Sequence, residues 1–271
     1  AYQFIQDNEK SDIYCLGELI HNNVINNYLK GQGVRIEDDY AGIPPQANVI
    51  IRAHGVPKKV YEYFADSGIN YIDLTCPFVS KIHKIVEAIP DENSLLMIAG
   101  DEKHPEVIGI CGFASCPYRV FKTADEAKDI LTQFMDSCPD TPVYVVSQTT
   151  FSISEWEKSL NIINLLCTKA TVFDTICKAT QERQAEADRL SRECDAMVVI
   201  GSSHSSNTVK LYNICKENCR TCLIESAKEL KADFLDGAKT IGVTAGASTP
   251  ANTIKEVLET MSEVENKSMN A

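Results

Sequence analysis

The chain has 271 residues, enough to bury a full core as one large domain or two to three small ones. Its 44% hydrophobic and 24% charged composition excludes a disordered chain, and 26 basic against 38 acidic residues, a net charge of −12, exclude a general nucleic-acid binder. No apolar run reaches the roughly 20 residues of a membrane span, and Ala1-Tyr2-Gln3-Phe4 lacks the basic and apolar regions of a signal peptide, so the expectation is a cytoplasmic protein without a membrane partner.

In chain order, short β-branched runs alternate with longer amphipathic stretches, which predicts strand–helix units on parallel sheets. The predicted strands are Ile13–Leu16, Asn48–Arg52, Tyr71–Leu74, Leu95–Ala99, Val143–Ser147, Thr171–Asp174, Ala196–Ile200, Thr221–Ile224 and Thr240–Thr244. Pro57, Pro105 and Pro250 fit the first turns of helices, where a missing N–H costs nothing. After Phe151, Ile153, Trp156, Leu160, Ile163 and Cys167 step by three and four, so this helix turns one face to the core. Weak punctuation falls at Gly42–Pro45, Pro90–Asn93 and Cys138–Pro142, and the stretch from Ser262 to Ala271 reads as a polar, frayed tail. Short loops between these elements predict compact α/β lobes of under about 100 residues each.

The side chains capable of chemistry gather where a strand ends and a helix begins: His21, His54, Cys76, His104 with Glu106, Thr149 with Thr150, Cys177, Ser205 to Asn207, and Ser248. In open parallel sheets that edge is where ligands bind, so the pattern predicts one shared site. Gly201-Ser202-Ser203-His204-Ser205-Ser206-Asn207 and Gly246-Ala247-Ser248-Thr249-Pro250 each offer hydroxyl and amide donors at a helix start. Either alone is an N-cap; with His21 and His54 in equivalent loops, they read as a phosphate site built without Lys or Arg. Neither is a Walker motif, and neither matches G-x-G-x-x-G.

Eleven cysteines in such a chain predict free thiols and a metal or redox site, not a disulfide framework. Cys76 and Cys177 follow predicted strands directly and could meet at the shared edge as soft-metal ligands. Cys15, Cys111, Cys138, Cys167 and Cys194 read as inert buried residues, and His83 and His204 as structural or solvated. Cys215, Cys219 and Cys222 have the C-x3-C-x2-C spacing of radical S-adenosylmethionine enzymes. Thr221 stands where that family usually has an aromatic, and surface or edge thiols are the reading preferred here. Glu106 is a carboxyl group that could donate a proton, and Thr149 and Thr150 could relay or orient one.

Leu19-Ile20-His21-Asn22, Ala53-His54-Gly55-Val56, Asp73-Leu74-Thr75-Cys76-Pro77, His104-Pro105-Glu106-Val107, Ser147-Gln148-Thr149-Thr150, Asp174-Thr175-Ile176-Cys177, Gly201-Ser202 with Ser205-Ser206-Asn207, and Val243 to Ser248 stand in a set order. In that order and approximate spacing the sequence resembles the 4-hydroxy-3-methylbut-2-enyl diphosphate reductases, from about Ile13 to Met261. The resemblance implies an α/β fold of three similar small parallel-sheet lobes around a central cavity, here 1–76, 77–170 and 171–262, with a tail at 263–271. It implies a [4Fe-4S] cluster held by one cysteine per lobe, Cys76 and Cys177 among them. His21, His54, Ser205, Ser206, Asn207 and Ser248 would hold the diphosphate, with His104 and Thr150 lining the substrate, and Glu106, aided by Thr149, would deliver protons. The implied reaction is reductive dehydroxylation to isopentenyl and dimethylallyl diphosphate, with electrons from a ferredoxin or flavodoxin type donor.

The family pattern begins with a strand ending Gly-Phe-Cys-x-Gly-Val, whose cysteine is the first cluster ligand, and no such motif occurs here. Cys15 lies inside a predicted strand and does not replace it. The third lobe is therefore expected to lack one strand, and the third protein ligand to come from a missing N-terminal Cys. The alternative is a non-catalytic diphosphate-binding remnant of the family.

Overall fold

The computed structural model describes residues 1–8, 11–90 and 94–269; the punctuation at Asp91–Asn93 lies outside them. The chain divides into two compact units, one of residues 1–20 and 24–177, the other of residues 21–23 and 178–271.

The first unit opens with α1 (Tyr2–Asp7), β1 (Ile13–Leu16), α2 (Asn23–Gly31), β2 (Arg35–Glu37), β3 (Asn48–Ile51), α3 (Lys58–Asp66), β4 (Asn70–Asp73) and α4 (Pro77–Glu87). It continues with β5 (Leu95–Ala99), α5 (Pro105–Cys111), β6 (Tyr118–Phe121), α6 (Ala124–Ser137), β7 (Val143–Ser147), α7 (Ile153–Leu166) and β8 (Thr171–Val172). These strands form two parallel sheets of one pattern, β2-β1-β3-β4 and β6-β5-β7-β8. The inner strands are apolar on both faces: Val49, Ile50 and Ile51 of β3 and Leu96, Met97, Ile98 and Ala99 of β5 are fully buried. A strand covered by helices on both sides reads as a continuous apolar run, which is why these strands were legible. The missed strands β2 and β6 are edge strands, and their Arg35, Glu37, Tyr118 and Arg119 carry no such signal.

Helix starts follow local chemistry. Pro105 takes the first position of α5 and Pro77 that of α4, while Pro57 and Pro250 stand one residue before their helices. Thr123 and Ser152 cap α6 and α7 by accepting the N–H of Glu126 and Glu155. As the spacing predicts, α7 buries Trp156 and Ile163, with Cys167 at its end, in the core under β5 and β7.

The second unit holds α8 (Lys178–Glu193), β9 (Ala196–Ile200), α9 (Ser206–Asn218), β10 (Arg220–Ile224), α10 (Ala232–Leu235), β11 (Ile241–Ala245) and α11 (Ala251–Met269). Its parallel sheet has the order β10-β9-β11. This repeats the first three strands of the other two sheets, and among the described residues no fourth strand lies beside β11.

Two expectations need correction. The strand at Thr171, expected to open the third lobe, pairs with β7 through Tyr144–Thr171 and Val145–Val172 and completes the second sheet. The segment after it stays tied to that sheet, since Phe173 N–H donates to Val145 O and Cys177 N–H to Thr149 O. The tail expected at 263–271 continues α11 as helix to Met269.

Candidate functional site

In the first unit the expected residues stand at the ends of β3, β4, β5, β7 and β8. His104 caps α5: its Nδ1 accepts the N–H of Glu106 at 3.1 Å. Its ring meets that of His54 edge-on, with centroids 5.3 Å apart. Glu106, 2% exposed, lies in the first turn of α5, where the helix N-terminus favours a carboxylate. Both its oxygens are held by one residue: Thr149 N–H donates to Oε1 at 2.6 Å, and Thr149 Oγ1 donates to Oε2 at 2.8 Å. Gln148 Nε2 donates to Thr150 Oγ1 at 3.0 Å and fixes the next hydroxyl along the loop.

Cys76 and Cys177 are half-buried free thiols in matching places, each just past the edge strand of its sheet. Each backbone N–H is bound to the neighbouring strand's loop, Cys76 to Ala53 O and Cys177 to Thr149 O, both at 2.9 Å. Thr175 fastens the second of these loops, accepting Ser147 N–H at 2.7 Å and donating to Ser147 O at 2.8 Å.

In the second unit Ser205 caps α9, and Ser205 and Asn207 are buried while Ser206 and Ser248 are partly exposed. The His21–Asn23 segment is tied to this unit. Asn22 Nδ2 donates to Ser248 O at 2.6 Å, Ser248 Oγ to His21 O at 3.4 Å, and Asn23 Nδ2 to Glu225 Oε2 at 3.0 Å. Among the described residues neither amide atom of Asn207, 4% exposed, has a hydrogen-bond partner, and Thr208 Oγ1 beside it has none either. A buried amide left so costs about 1–3 kcal/mol. A Cβ on Gly246 would lie 2.1 Å from Thr208 Oγ1, so the Gly246 turn can close over this helix start only as glycine. The geometry is that of a donor-rich helix start with open valences, suited to an anion.

Asn22, Gln148, Thr175 and Thr208 were missed as candidates; only Thr208 had a usable signal, its place beside Asn207 in the capping loop. The cysteine readings divide. Cys15 and Cys167 are buried, and burial pushes the Cys15 thiol up to about 12; Cys111 and Cys194 are partly exposed, and Cys138 is exposed, contrary to expectation. Cys215 is no surface thiol but core, with Sγ 3.8 Å from Ala187 O and its pKa pushed up to about 11 by burial. Burial raises Cys222 likewise, and among the described residues Cys215, Cys219 and Cys222 do not converge as a ligand group, which removes the basis for the radical-enzyme reading. His204 is exposed and His83 buried.

The fold and these strand ends define a parallel-sheet α/β protein with a held carboxylate and two free thiols at the carboxyl ends of the strands of its first unit, and a donor-rich helix start at a strand end of its second. The chain belongs to the LytB protein family, which matches residues 1–262. It is 40% identical over 273 residues to a protein of Caldanaerobacter subterraneus subsp. tengcongensis named 4-hydroxy-3-methylbut-2-enyl diphosphate reductase, covering 100% of this chain and 92% of that one. A protein of the same name from Thermoanaerobacter sp. strain X514 is 41% identical over 262 residues, 96% of this chain and 88% of its own. Among solved structures, an (E)-4-hydroxy-3-methyl-but-2-enyl diphosphate reductase, described as the terminal enzyme of the non-mevalonate pathway, is 33% identical with a TM-score of 0.65, covering 97% of this chain and 93% of its own. The Plasmodium falciparum reductase structure shares the fold, with a TM-score of 0.87 at 24% identity over 95% of this chain and 81% of its own. The three parallel sheets accord with those structures.

Proposed function

We propose that this chain is a 4-hydroxy-3-methylbut-2-enyl diphosphate reductase, converting its substrate to isopentenyl and dimethylallyl diphosphate at the end of the methylerythritol phosphate route. The observation that carries the reading is Thr149. Its N–H and hydroxyl hold Glu106, and its carbonyl holds the N–H of Cys177, so one residue joins the proton donor to a metal ligand.

Cys76 and Cys177, free, half-buried and at matching strand ends, suit two of the thiolate ligands of a [4Fe-4S] cluster. When bound, such a cluster would supply electrons and Lewis-acid chemistry at iron. His21, His54, Ser205, Ser206, Asn207 and Ser248 hold the diphosphate, and His104 and Thr150 line the rest of the substrate. The reaction takes two electrons and two protons: the C–O bond to the hydroxyl breaks, the hydroxyl leaves as water, and a new C–H bond forms. Glu106 delivers the proton that makes hydroxide a leaving group, and Thr149 orients it. The electrons come from a ferredoxin or flavodoxin type carrier. The net charge of −12 calls for a local basic patch where such an acidic carrier docks. Among the described residues no helix is long and apolar enough to cross a membrane, and the free thiols suit the reducing cytoplasm.

Anaerobic reconstitution with iron and sulfide, on this chain and on a form extended upstream through the missing cysteine motif, tests the reading. The extended form is expected to bind a cluster and turn over substrate with a chemical reductant. Absence of a cluster in both forms overturns the reading, and a cluster that forms without turnover leaves the non-catalytic remnant in its place.

A further inference from the structure

His83 stands at the middle of α4, 4% exposed, with no place in the reaction above. One face of its ring stacks on Phe113, just past the end of α5, with centroids 4.3 Å apart and planes 17° from parallel. Its edge faces two glycines. A Cβ on Gly55, in the turn that carries His54, would lie 2.6 Å from Cε1; a Cβ on Gly109, in α5, would lie 3.2 Å from Nε2 and 3.6 Å from the His54 carbonyl oxygen. Gly55 has φ of +72°, so both its backbone and its bare Cα suit the close approach. Three elements thus meet at one imidazole: α4, the His54 turn and α5, which bears His104 and Glu106.

Among the described residues Nε2 finds no hydrogen-bond partner. Burial outweighs the attraction of Asp73 and Glu87, the charged groups that face the ring, and pushes its pKa down to about 4, so it is neutral at ordinary pH. An aliphatic residue would fill a core position without leaving a buried nitrogen unsatisfied, so what the position uses is the flat, narrow shape of the ring.

We propose that His83 is a positioning residue for the proton-delivering site, a planar spacer that fixes the His54 turn against α5 and so sets the His54–His104 contact and the placement of Glu106. Close-packed interiors transmit such a change, because a side chain of a different shape forces its neighbours to move. The proposal rests on the reductase reading only for its catalytic consequence; the geometric part stands without it.

The test uses the full chain without metal, labelled with 15N-histidine, whose five histidines give separable signals. His83→Leu is expected to move the titration midpoints of His54 and His104 by half a pH unit or more and to leave exposed His204 unmoved. Gly109→Ala, which pushes a methyl group towards Nε2, is expected to move the same two residues and carries the test if His83→Leu does not fold. In the cluster-loaded enzyme, His83→Leu is expected to lower kcat about tenfold and to raise KM by less than that, because five of the six diphosphate-holding residues, all but His54, lie in the other unit. Unmoved His54 and His104 in both variants overturn the proposal. A loaded wild-type enzyme without turnover overturns the reductase reading instead, and leaves the histidine result to decide this one.

Discussion

The two units treat their key polar side chains in opposite ways. In the first, Glu106 is buried with both oxygens occupied, each by a donor of Thr149. In the second, Asn207 is nearly as buried, yet among the described residues neither atom of its amide is engaged. A group that must keep its aim through bond breaking is held by the fold, because a shift of the acid by an ångström costs more rate than its hydrogen bonds cost in freedom. A group that meets a ligand is left open, and the cost of the unpaired amide is recovered when the ligand binds.

The largest effect expected from this contrast belongs to the held side. Glu106→Gln keeps size and shape but removes the ionisable proton, so turnover with a chemical reductant is expected to fall about 10²- to 10⁴-fold, the usual share of a general acid. Cluster absorbance and the melting temperature should stay near wild type. Turnover within threefold of wild type would take Glu106 out of the reaction and leave Thr149 holding an ordinary helix-start glutamate.

His83 sharpens the comparison, since among the described residues its Nε2 has no partner, in the unit where the Glu106 carboxylate is satisfied. The difference is what faces it: glycines at contact distance, where Asn207 stands in a helix-start loop. Its folded pKa of about 4 lies below the ordinary histidine value of about 6.5, so the unfolded chain takes up the proton first. Its contribution is whole above about pH 6.5 and is lost as pH falls towards 4, by about 3 kcal/mol at most. Denaturant unfolding at pH 7.5 and 4.5 on wild type and His83→Leu isolates this share: the variant is expected to lose less stability on acidification. Equal losses would mean that the ring ionises freely and is no dry spacer.

Much of this was legible in the sequence, for a physical reason. Inner strands such as Asn48–Ile51, Leu95–Ala99 and Ala196–Ile200 are buried on both faces and read as unbroken apolar runs. His54, Glu106, Thr149 and Ser205 stand in the loops or first helical turns after such strands, so their positions could be read before any fold was known. The edge strands Arg35–Glu37 and Tyr118–Phe121 could not, because one side of an edge strand faces water and tolerates charge. Thr171 was assigned to the wrong sheet because pairing partners are set by loops, here the Cys177–Thr149 hydrogen bond, and not by a strand's own composition. The contacts of His83, Gln148 and Thr175 were hidden for a related reason: each touches a neighbour distant in sequence or already accounted for in the strand pattern.

The smallest expected effect is the most discriminating, because it has the unusual sign. Asn207→Leu replaces the amide with an apolar group of similar volume. In the ligand-free chain this removes two unsatisfied buried atoms, so stability should rise by about 1 kcal/mol. The same change removes a donor from the helix start, so affinity for pyrophosphate, measured calorimetrically on the metal-free chain, should fall about tenfold, or about 1.4 kcal/mol. Most core polar substitutions lower stability and binding together. Separation of the two signs would show that the open amide is kept for an anion, whereas a loss of stability would show that Asn207 is held like Glu106 and that the two units do not differ in the way their hydrogen bonds suggest.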